Sequence, residues 1–199
     1  MKPRPWEALA SSTALKTPQF QVRRDQVRLP DGVVVNDYYV CVRPDIAIVV
    51  ALQDDRLPLV RQYKHGVREI TLELPAGMIQ SDETPEDAGR RELREETGWV
   101  APTLTCIGSF HDDSTRNTNR VYCLVSRDAY PAGAQQLDPH EAAGGLEVVE
   151  VPLRGLAELL ATGAVRTQSS VAAAYRALAW LAETTSESDR PIADRRSPS

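Results

Sequence analysis

The chain has 199 residues, 42% hydrophobic and 26% charged, the proportions of a globular protein long enough for one domain with a substantial core and no need of disulfides or structural metal. Lys and Arg number 23 against 28 Asp and Glu, a net charge of −5; this argues against a nucleic-acid partner held on a basic face, and any anionic substrate must be attracted by something other than net charge. No apolar run has the length of a membrane span and the first residues lack the apolar stretch of a signal peptide, so a cytoplasmic protein with no membrane partner is expected. Cys41, Cys106 and Cys123 match no zinc spacing and are expected as free thiols packed inside strands.

In chain order, residues 1–19 carry three prolines and little periodicity, which predicts extended or irregular backbone. Gln21 to Leu29 alternates imperfectly, Pro30-Asp31-Gly32 is a turn, and Val33 to Val42 is β-branched and aromatic; together they predict a hairpin. Asp45 to Leu52 is a continuous apolar run, hence a strand buried on both faces, with Leu57 to Tyr63 expected to pair back to it. Further strands are expected at 70–74, 104–110, 120–126 and 146–151, and a loop over 128–145. Helices are expected over 84–97, over 153–161 with a stop at Gly163, and from a cap at Ser169 or Ser170 to about Glu183. Residues 185–199 are polar and free of aromatics, the composition of a disordered tail. This order predicts an α/β fold with helices against a mixed or antiparallel sheet.

The helix over 84–97 is the informative one. Thr84 suits the N-cap, Pro85 the first position, Asp87 a capping box with Thr84, and Gly98 the left-handed stop. Glu92, Glu95 and Glu96 stand at i, i+3 and i+4 and share one face with Ala88 and Gly89, while Arg90, Arg91 and Arg94 are expected to point elsewhere. Three like charges on one stripe weaken an isolated helix; a compact all-oxygen cluster beside small residues suits a hard cation such as Mg²⁺. Taken alone, the three glutamates leave open a solvated helix with chance clustering. Gly89 costs the helix roughly 1 kcal/mol relative to Ala, and close packing is the one reason the sequence offers.

The spacing around the helix is more specific. Gly77, five residues, Glu83, seven residues, then Arg91-Glu92-Leu93-Arg94-Glu95-Glu96-Thr97-Gly98-Trp99 resembles the Nudix box without a gap. Such a match arises by chance roughly once in a million trials at ordinary residue usage. Leu29-Pro30-Asp31-Gly32, Arg61-Gln62-Tyr63-Lys64-His65, Glu73-Leu74-Pro75-Ala76-Gly77 and Glu147-Val148-Val149-Glu150-Val151-Pro152-Leu153 resemble the ADP-ribose pyrophosphatase branch of that family, so the likeness covers about residues 6–183.

The resemblance implies a Nudix-type α/β/α sandwich with a mixed sheet (45–184), preceded by an N-terminal antiparallel β-hairpin extension (1–44) through which two subunits pair as a homodimer and build the substrate pocket. It implies Mg²⁺- or Mn²⁺-dependent hydrolysis of a nucleoside diphosphate linked to another moiety. Glu92 and Glu96 would be direct metal ligands, Glu95 a ligand or a partner of metal-bound water, and the Ala76 carbonyl would complete the site. Gly77, Glu83, Arg91 and Gly98 would be structural, Glu83 pairing with Arg91. Metal ions would answer the charge problem, bridging carboxylates and phosphates and lowering the pKa of a bound water.

For the general base, related enzymes often use a Glu on a mobile loop between the last strands; Asp138, His140, Glu141 and Glu147 are available here and Glu141 is favoured, although Ala142-Ala143-Gly144-Gly145 departs from the acidic stretch expected after it. Arg61, and more weakly Arg68, reads either as a diphosphate contact or as a solvated strand-edge charge. Trp6 and Tyr39 read as base-stacking aromatics or as packing at a dimer contact. His65, His111 and His140 suit the surface better than an oxygen-seeking metal. The branch commonly has a proline about sixteen residues past the box, and His111 to Arg120 has none. ADP-ribose is the expected substrate; GDP-mannose, NADH, dinucleoside polyphosphates, oxidised nucleotides and a non-catalytic ligand-binding domain are the alternatives.

Overall fold

The structure is a computed structural model that describes residues 2–18 and 20–188, with side chains up to 184. In chain order its elements are β1 (Glu7–Lys16), β2 (Gln21–Arg28), β3 (Val34–Val42), β4 (Ile46–Ala51), β5 (Arg56–Lys64), β6 (Glu69–Glu73), β7 (Ala76–Met78), α1 (Pro85–Thr97), β8 (Trp99–Val100), β9 (Thr105–His111), β10 (Arg120–Ser126), β11 (Tyr130–Pro131), α2 (Pro139–Gly144), β12 (Glu147–Pro152), α3 (Leu153–Ala161) and α4 (Gln168–Ser188).

Strand alternation builds the layers. Successive side chains of β4 leave opposite faces of its sheet. Ala47, Val49 and Ala51 pack with Ala88 and Leu93 of α1. Ile48 and Val50 pack with Leu156 and Leu160 of α3 and with Ala173, Ala174 and Ala177 of α4. Two helical layers therefore sandwich the central strands, and β4 is apolar throughout because both its faces are covered. Its sheet runs β7-β4-β10-β9, with β4 and β10 parallel and the other pairs antiparallel, so the sheet is mixed. A second, antiparallel sheet runs β12-β5-β6.

The structure corrects several expectations. Residues 57–63 do not pair back to β4: its two edges are taken by β7 and β10, and after a tight turn at Asp54-Asp55 the chain moves to the other sheet, where β5 lies between β12 and β6. Residues 1–19 are not irregular. β1 adds to β2 and makes the hairpin a three-stranded sheet, with Arg28 pairing to Glu7 at 2.7 Å and Ser11 donating to Asp25 at 2.7 Å. Most of β1 is exposed, so it has no buried stripe to announce it. The 128–145 loop contains β11 and the helix α2. Helix α4 starts at Gln168, which puts Ser169 and Ser170 inside its first turn, and the Ser170 hydroxyl accepts from the Leu74 N–H at 3.0 Å. That helix also runs through Ser188, past the expected start of the tail; the rest of that tail, 189–199, lies outside the described residues.

The cysteines are free, and Cys123 is buried in β10, where loss of solvent pushes its thiol up to about 12. Gly89 proves to be a packing residue: a Cβ there would stand 2.3 Å from Leu124 Cδ1, 3.0 Å from Leu104 Cδ2 and 3.2 Å from Val49 Cγ2. Its absence lets α1 lie directly on β4, β9 and β10, which seats the acidic face of the helix beside β7.

Candidate active site

Both ends of α1 are locally determined. The Thr84 hydroxyl accepts from the Asp87 N–H at 3.1 Å and donates to the Asp87 carboxylate at 2.7 Å, so Asp87 serves the cap through its side chain and not through the reciprocal bond of a capping box. Gly98 takes φ 73° and closes onto Arg94 O at 2.9 Å, and a Cβ there would lie 2.2 Å from Gly133 O. The site at Gly98 is thus closed to side chains by both conformation and contact.

Between these caps the helix presents its glutamates to the β7 backbone. Glu96 is 3% exposed and accepts from the Ala76 N–H at 2.9 Å. Glu92 lies against the backbone of Gly77, where a Cβ would meet its carboxyl carbon at 2.0 Å. Arg91, expected to point away from this cluster, instead ties it together. Its Nη1 donates to Glu92 at 2.6 Å and Glu95 at 3.1 Å, its Nε and Nη2 donate to Glu83 at 2.7 and 2.8 Å, and Nη2 reaches Met78 O at 3.0 Å. A guanidinium makes this possible because its donors fan out in one plane.

The electrostatics follow from burial. Loss of solvent pushes the Glu96 carboxyl up to about 8, against the Ala76 N–H; the charges of Glu92 and Glu141 add to the rise and Lys64 opposes it. Burial also raises Glu92, opposed by Arg91 and reinforced by Glu95 and Glu141. The cluster is short of positive charge. Glu83 is the opposite case: hydrogen bonds from Arg91 hold its carboxyl down at about 2. A carboxylate with a depressed folded pKa contributes stability that is fully present above its unfolded value, near 4.5, and lost as pH falls toward 2. Thermal unfolding between pH 6 and pH 2.5 should therefore fall less steeply for Glu83→Gln than for the unsubstituted chain.

The acids open into a cleft of about 430 Å³ whose walls include Lys64, Ala76, Gly77, Gln136 and Asp138 besides Arg91, the three glutamates and Glu141. Glu141 comes from α2, whose capping box is complete: Asp138 Oδ1 accepts from the His140 and Glu141 N–H groups, and Glu141 Oε2 accepts from the Asp138 N–H at 2.9 Å. The fold thus brings the favoured loop acid to the same cleft as the helix acids.

Other expected site residues lie elsewhere. Arg61 pairs with Glu147 at 2.9 Å across β5 and β12, both half-exposed, and is not in the cleft wall. Arg68 takes φ 57° in the β5–β6 turn and is exposed. Trp6 meets Tyr38 edge-on at 5.7 Å, and Tyr39 is exposed on β3; neither lines the cleft. Besides Arg91, the cleft wall holds Lys64, which pairs with Glu73 at 3.4 Å and is not among the site residues expected from sequence. Alternation along β5 puts Gln62 and Lys64 on the face opposite Arg61 and Tyr63, a signal the sequence does carry.

Among the described residues, no three acidic, histidine or cysteine side chains stand in an arrangement that could hold a metal ion. Arg91 explains this, since it draws Glu92 and Glu95 to itself while Glu96 faces the Ala76 N–H. The donors are nevertheless those of a hard divalent cation: clustered carboxylate oxygens, one of them buried and short of positive charge.

Comparison with known proteins gives two family matches that meet end to end. The family described as nucleoside diphosphate sugar hydrolase N-terminal domain matches residues 6–41, and the NUDIX domain matches residues 42–174. The chain is 36% identical over 118 residues to an ADP-ribose pyrophosphatase of Mycobacterium tuberculosis, 56% of this chain and 57% of that one. It is 26% identical over 172 residues to the ADP compounds hydrolase NudE of Escherichia coli, 85% of this chain and 89% of that one. An ADP-ribose pyrophosphatase of Bacillus subtilis is 27% identical over 137 residues, 68% of this chain and 72% of its own length. The fold matches the crystal structure of an ADP compounds hydrolase with a TM-score of 0.80 and 24% identity, over 92% of this chain and 98% of that one.

Proposed function

Since the chain belongs to the Nudix family of hydrolases, we propose that it hydrolyses the diphosphate of ADP-ribose to AMP and ribose 5-phosphate with Mg²⁺ or Mn²⁺. The observation that carries the reading is the cleft itself, where the buried Glu96 meets Glu92, Glu95 and Glu141 with too little positive charge to balance them. Glu92 and Glu96 would hold the metal directly, Glu95 would be a further ligand or a partner of metal-bound water, and the Ala76 carbonyl would complete the site. A divalent ion held there would lower the pKa of water and offset the charge of the phosphates.

The chain's own groups do the rest. Arg91, anchored by Glu83, orients Glu92 and Glu95. Lys64 faces the acids from β5 and pairs with a phosphate oxygen. Glu141 takes the proton of the attacking water as general base, which requires it to leave the Asp138 N–H. The water oxygen bonds to one phosphorus, the P–O–P bond breaks, and the departing phosphate carries the electron pair. The relatives named ADP-ribose pyrophosphatase and ADP compounds hydrolase favour an ADP-linked substrate over the other diphosphates.

The N-terminal sheet is proposed to pair two subunits. Its strands leave Leu15, Val34 and Tyr39 exposed, and Trp6, also exposed, meets Tyr38 at 5.7 Å; exposed apolar side chains support this reading. A cytoplasmic location goes with the free cysteines.

The test is direct. Purified protein with ADP-ribose and Mg²⁺ should yield AMP and ribose 5-phosphate by mass, a chelator should abolish turnover, and Mg²⁺ or Mn²⁺ should restore it. Turnover unaffected by chelation would remove the metal role. A blank with ADP-ribose but turnover of GDP-mannose, NADH, a dinucleoside polyphosphate or an oxidised nucleotide would move the substrate. A blank on all, with tight ADP-ribose binding, would favour a non-catalytic binding domain.

A further inference from the structure

Only Leu74 and Pro75 separate β6 from β7, yet the two strands belong to different sheets. The chain crosses between the sheets at this point, and it does so in the interior: Leu74 is 1% exposed. Beyond the end of β6 the Leu74 N–H has no strand to bond, and a donor left unpaired at such depth is costly. Ser170, also 1% exposed, supplies the acceptor, its hydroxyl oxygen taking the Leu74 N–H at 3.0 Å. Pro75 brings no N–H of its own, and its carbonyl accepts from the Val49 N–H at 3.0 Å. The crossing is thus pinned by α4 at one residue and by β4 at the next.

What the crossing delivers is the Ala76 peptide. Along an antiparallel pair, residues alternate between those that bond the partner strand and those whose N–H and C=O both turn away. Pro75 and Ile79 bond β4, Ile79 through Asp45 O at 2.9 Å. Ala76 and Met78 therefore turn outward, toward α1: the Ala76 N–H donates to Glu96, and Met78 O accepts from Arg91. The Ala76 carbonyl leaves the strand on the same side as its N–H, the side of the acids. A backbone oxygen has no rotamer with which to adjust, so its aim is set by where Leu74 and Pro75 place it.

We propose that Ser170 is a positioning residue for the metal: from α4, on the face of the sheet opposite α1, it fixes the crossing and so the direction of the Ala76 carbonyl. This rests on the reading of that carbonyl as a metal ligand and deepens it. Ser170 stands 96 residues from Leu74 in the chain, well outside the motif around α1. Its hydroxyl touches neither metal nor substrate, so its effect falls on how tightly the cation is held.

Mn²⁺ binding to the full-length protein, read from loss of the free-ion electron paramagnetic resonance signal, tests this without turnover. Ser170→Ala leaves the Leu74 N–H unpaired and should weaken Mn²⁺ binding about tenfold, the scale for losing a group that orients a metal ligand. Ala177→Gly, on the same helix and in the same core, should lower the melting temperature, leave the crossing alone and keep the original affinity. Ser170→Cys, close in volume and a weaker acceptor, carries the same test if the alanine variant fails to fold. At limiting Mg²⁺, turnover of ADP-ribose by Ser170→Ala should fall by the same factor, and saturating Mg²⁺ should restore it. Equal Mn²⁺ affinity with and without the Ser170 hydroxyl overturns the proposal. So does equal weakening by Ala177→Gly, or a loss of turnover that saturating metal does not relieve. No Mn²⁺ uptake by the unsubstituted protein, with or without AMP, rejects the metal reading beneath the proposal and the proposal with it.

Discussion

Glu96→Gln should lower kcat/KM for ADP-ribose by about three orders of magnitude without unfolding the protein. A metal ion in such a site contributes several kcal/mol of charge stabilisation in the transition state, and about 4 kcal/mol corresponds to a thousandfold. Glu96 carries the largest share of this expectation because it is the most buried of the acids, 3% exposed, so no water replaces its carboxylate readily. The fold should survive, since the Gln amide oxygen can still accept from the Ala76 N–H at the distance Glu96 now uses, 2.9 Å. Burial already disfavours the charged form of this carboxyl, so a neutral amide in its place costs the metal-free fold little. Steady-state kinetics at saturating Mg²⁺, beside a melting curve without metal, separates the two effects. Activity within threefold of the original would exclude Glu96 as a metal ligand. A variant that loses activity and melts far lower would show that the residue serves the fold.

What the sequence discloses depends on how local each signal is. Helix α1 is legible because Thr84, Pro85 and Gly98 mark its ends and its three acids repeat at helical spacing, all within one segment. The strand β4 is legible because burial on both faces leaves it apolar throughout. By contrast β1 is mostly exposed and held by edge pairing to β2, so no periodicity marks it. Helix α2 is six residues long, too short for a hydrophobic period, although Asp138, Pro139 and Glu141 spell its capping box. The pairing of Arg91 with Glu83 is expected from the resemblance, and Arg91 stands four residues before Glu95 on the helix; what escapes a sequence reading is that Met78 O and Glu83, from other parts of the chain, hold its guanidinium against Glu92 and Glu95. Alternation along β5 gives the face of Lys64, but that this face meets the acids is a relation set by tertiary packing. The three glutamates can be read in one dimension; the walls that make a cleft of them cannot.

Gly89→Ala should destabilise the protein even though it improves the helix. In an exposed helix the change would gain roughly 1 kcal/mol. Here the new methyl carbon meets Leu124 Cδ1 at 2.3 Å, with Leu104 and Val49 at 3.0 and 3.2 Å. Leu124 and Val49 are wholly buried, and neither can swing into solvent to make room. Overpacking of this kind costs about 1–3 kcal/mol, and a contact this short belongs at the upper end. The net loss for Ala is then about 1–2 kcal/mol, and Gly89→Val should lose more, since it adds two further carbons and a weaker helix former. Denaturant midpoints at constant slope measure this. The consequence reaches the chemistry, because the contact that Gly89 permits is the one that holds α1 against β4 and sets Glu96 under the Ala76 N–H. A helix pushed outward carries its acids away from β7, and a misplacement of about 1 Å costs catalysis about a hundredfold. Gly89→Ala should therefore lose activity beyond its loss of folded protein at a temperature where both variants are fully folded. A stable Gly89→Ala protein with undiminished turnover would show that α1 repacks without moving its acidic face.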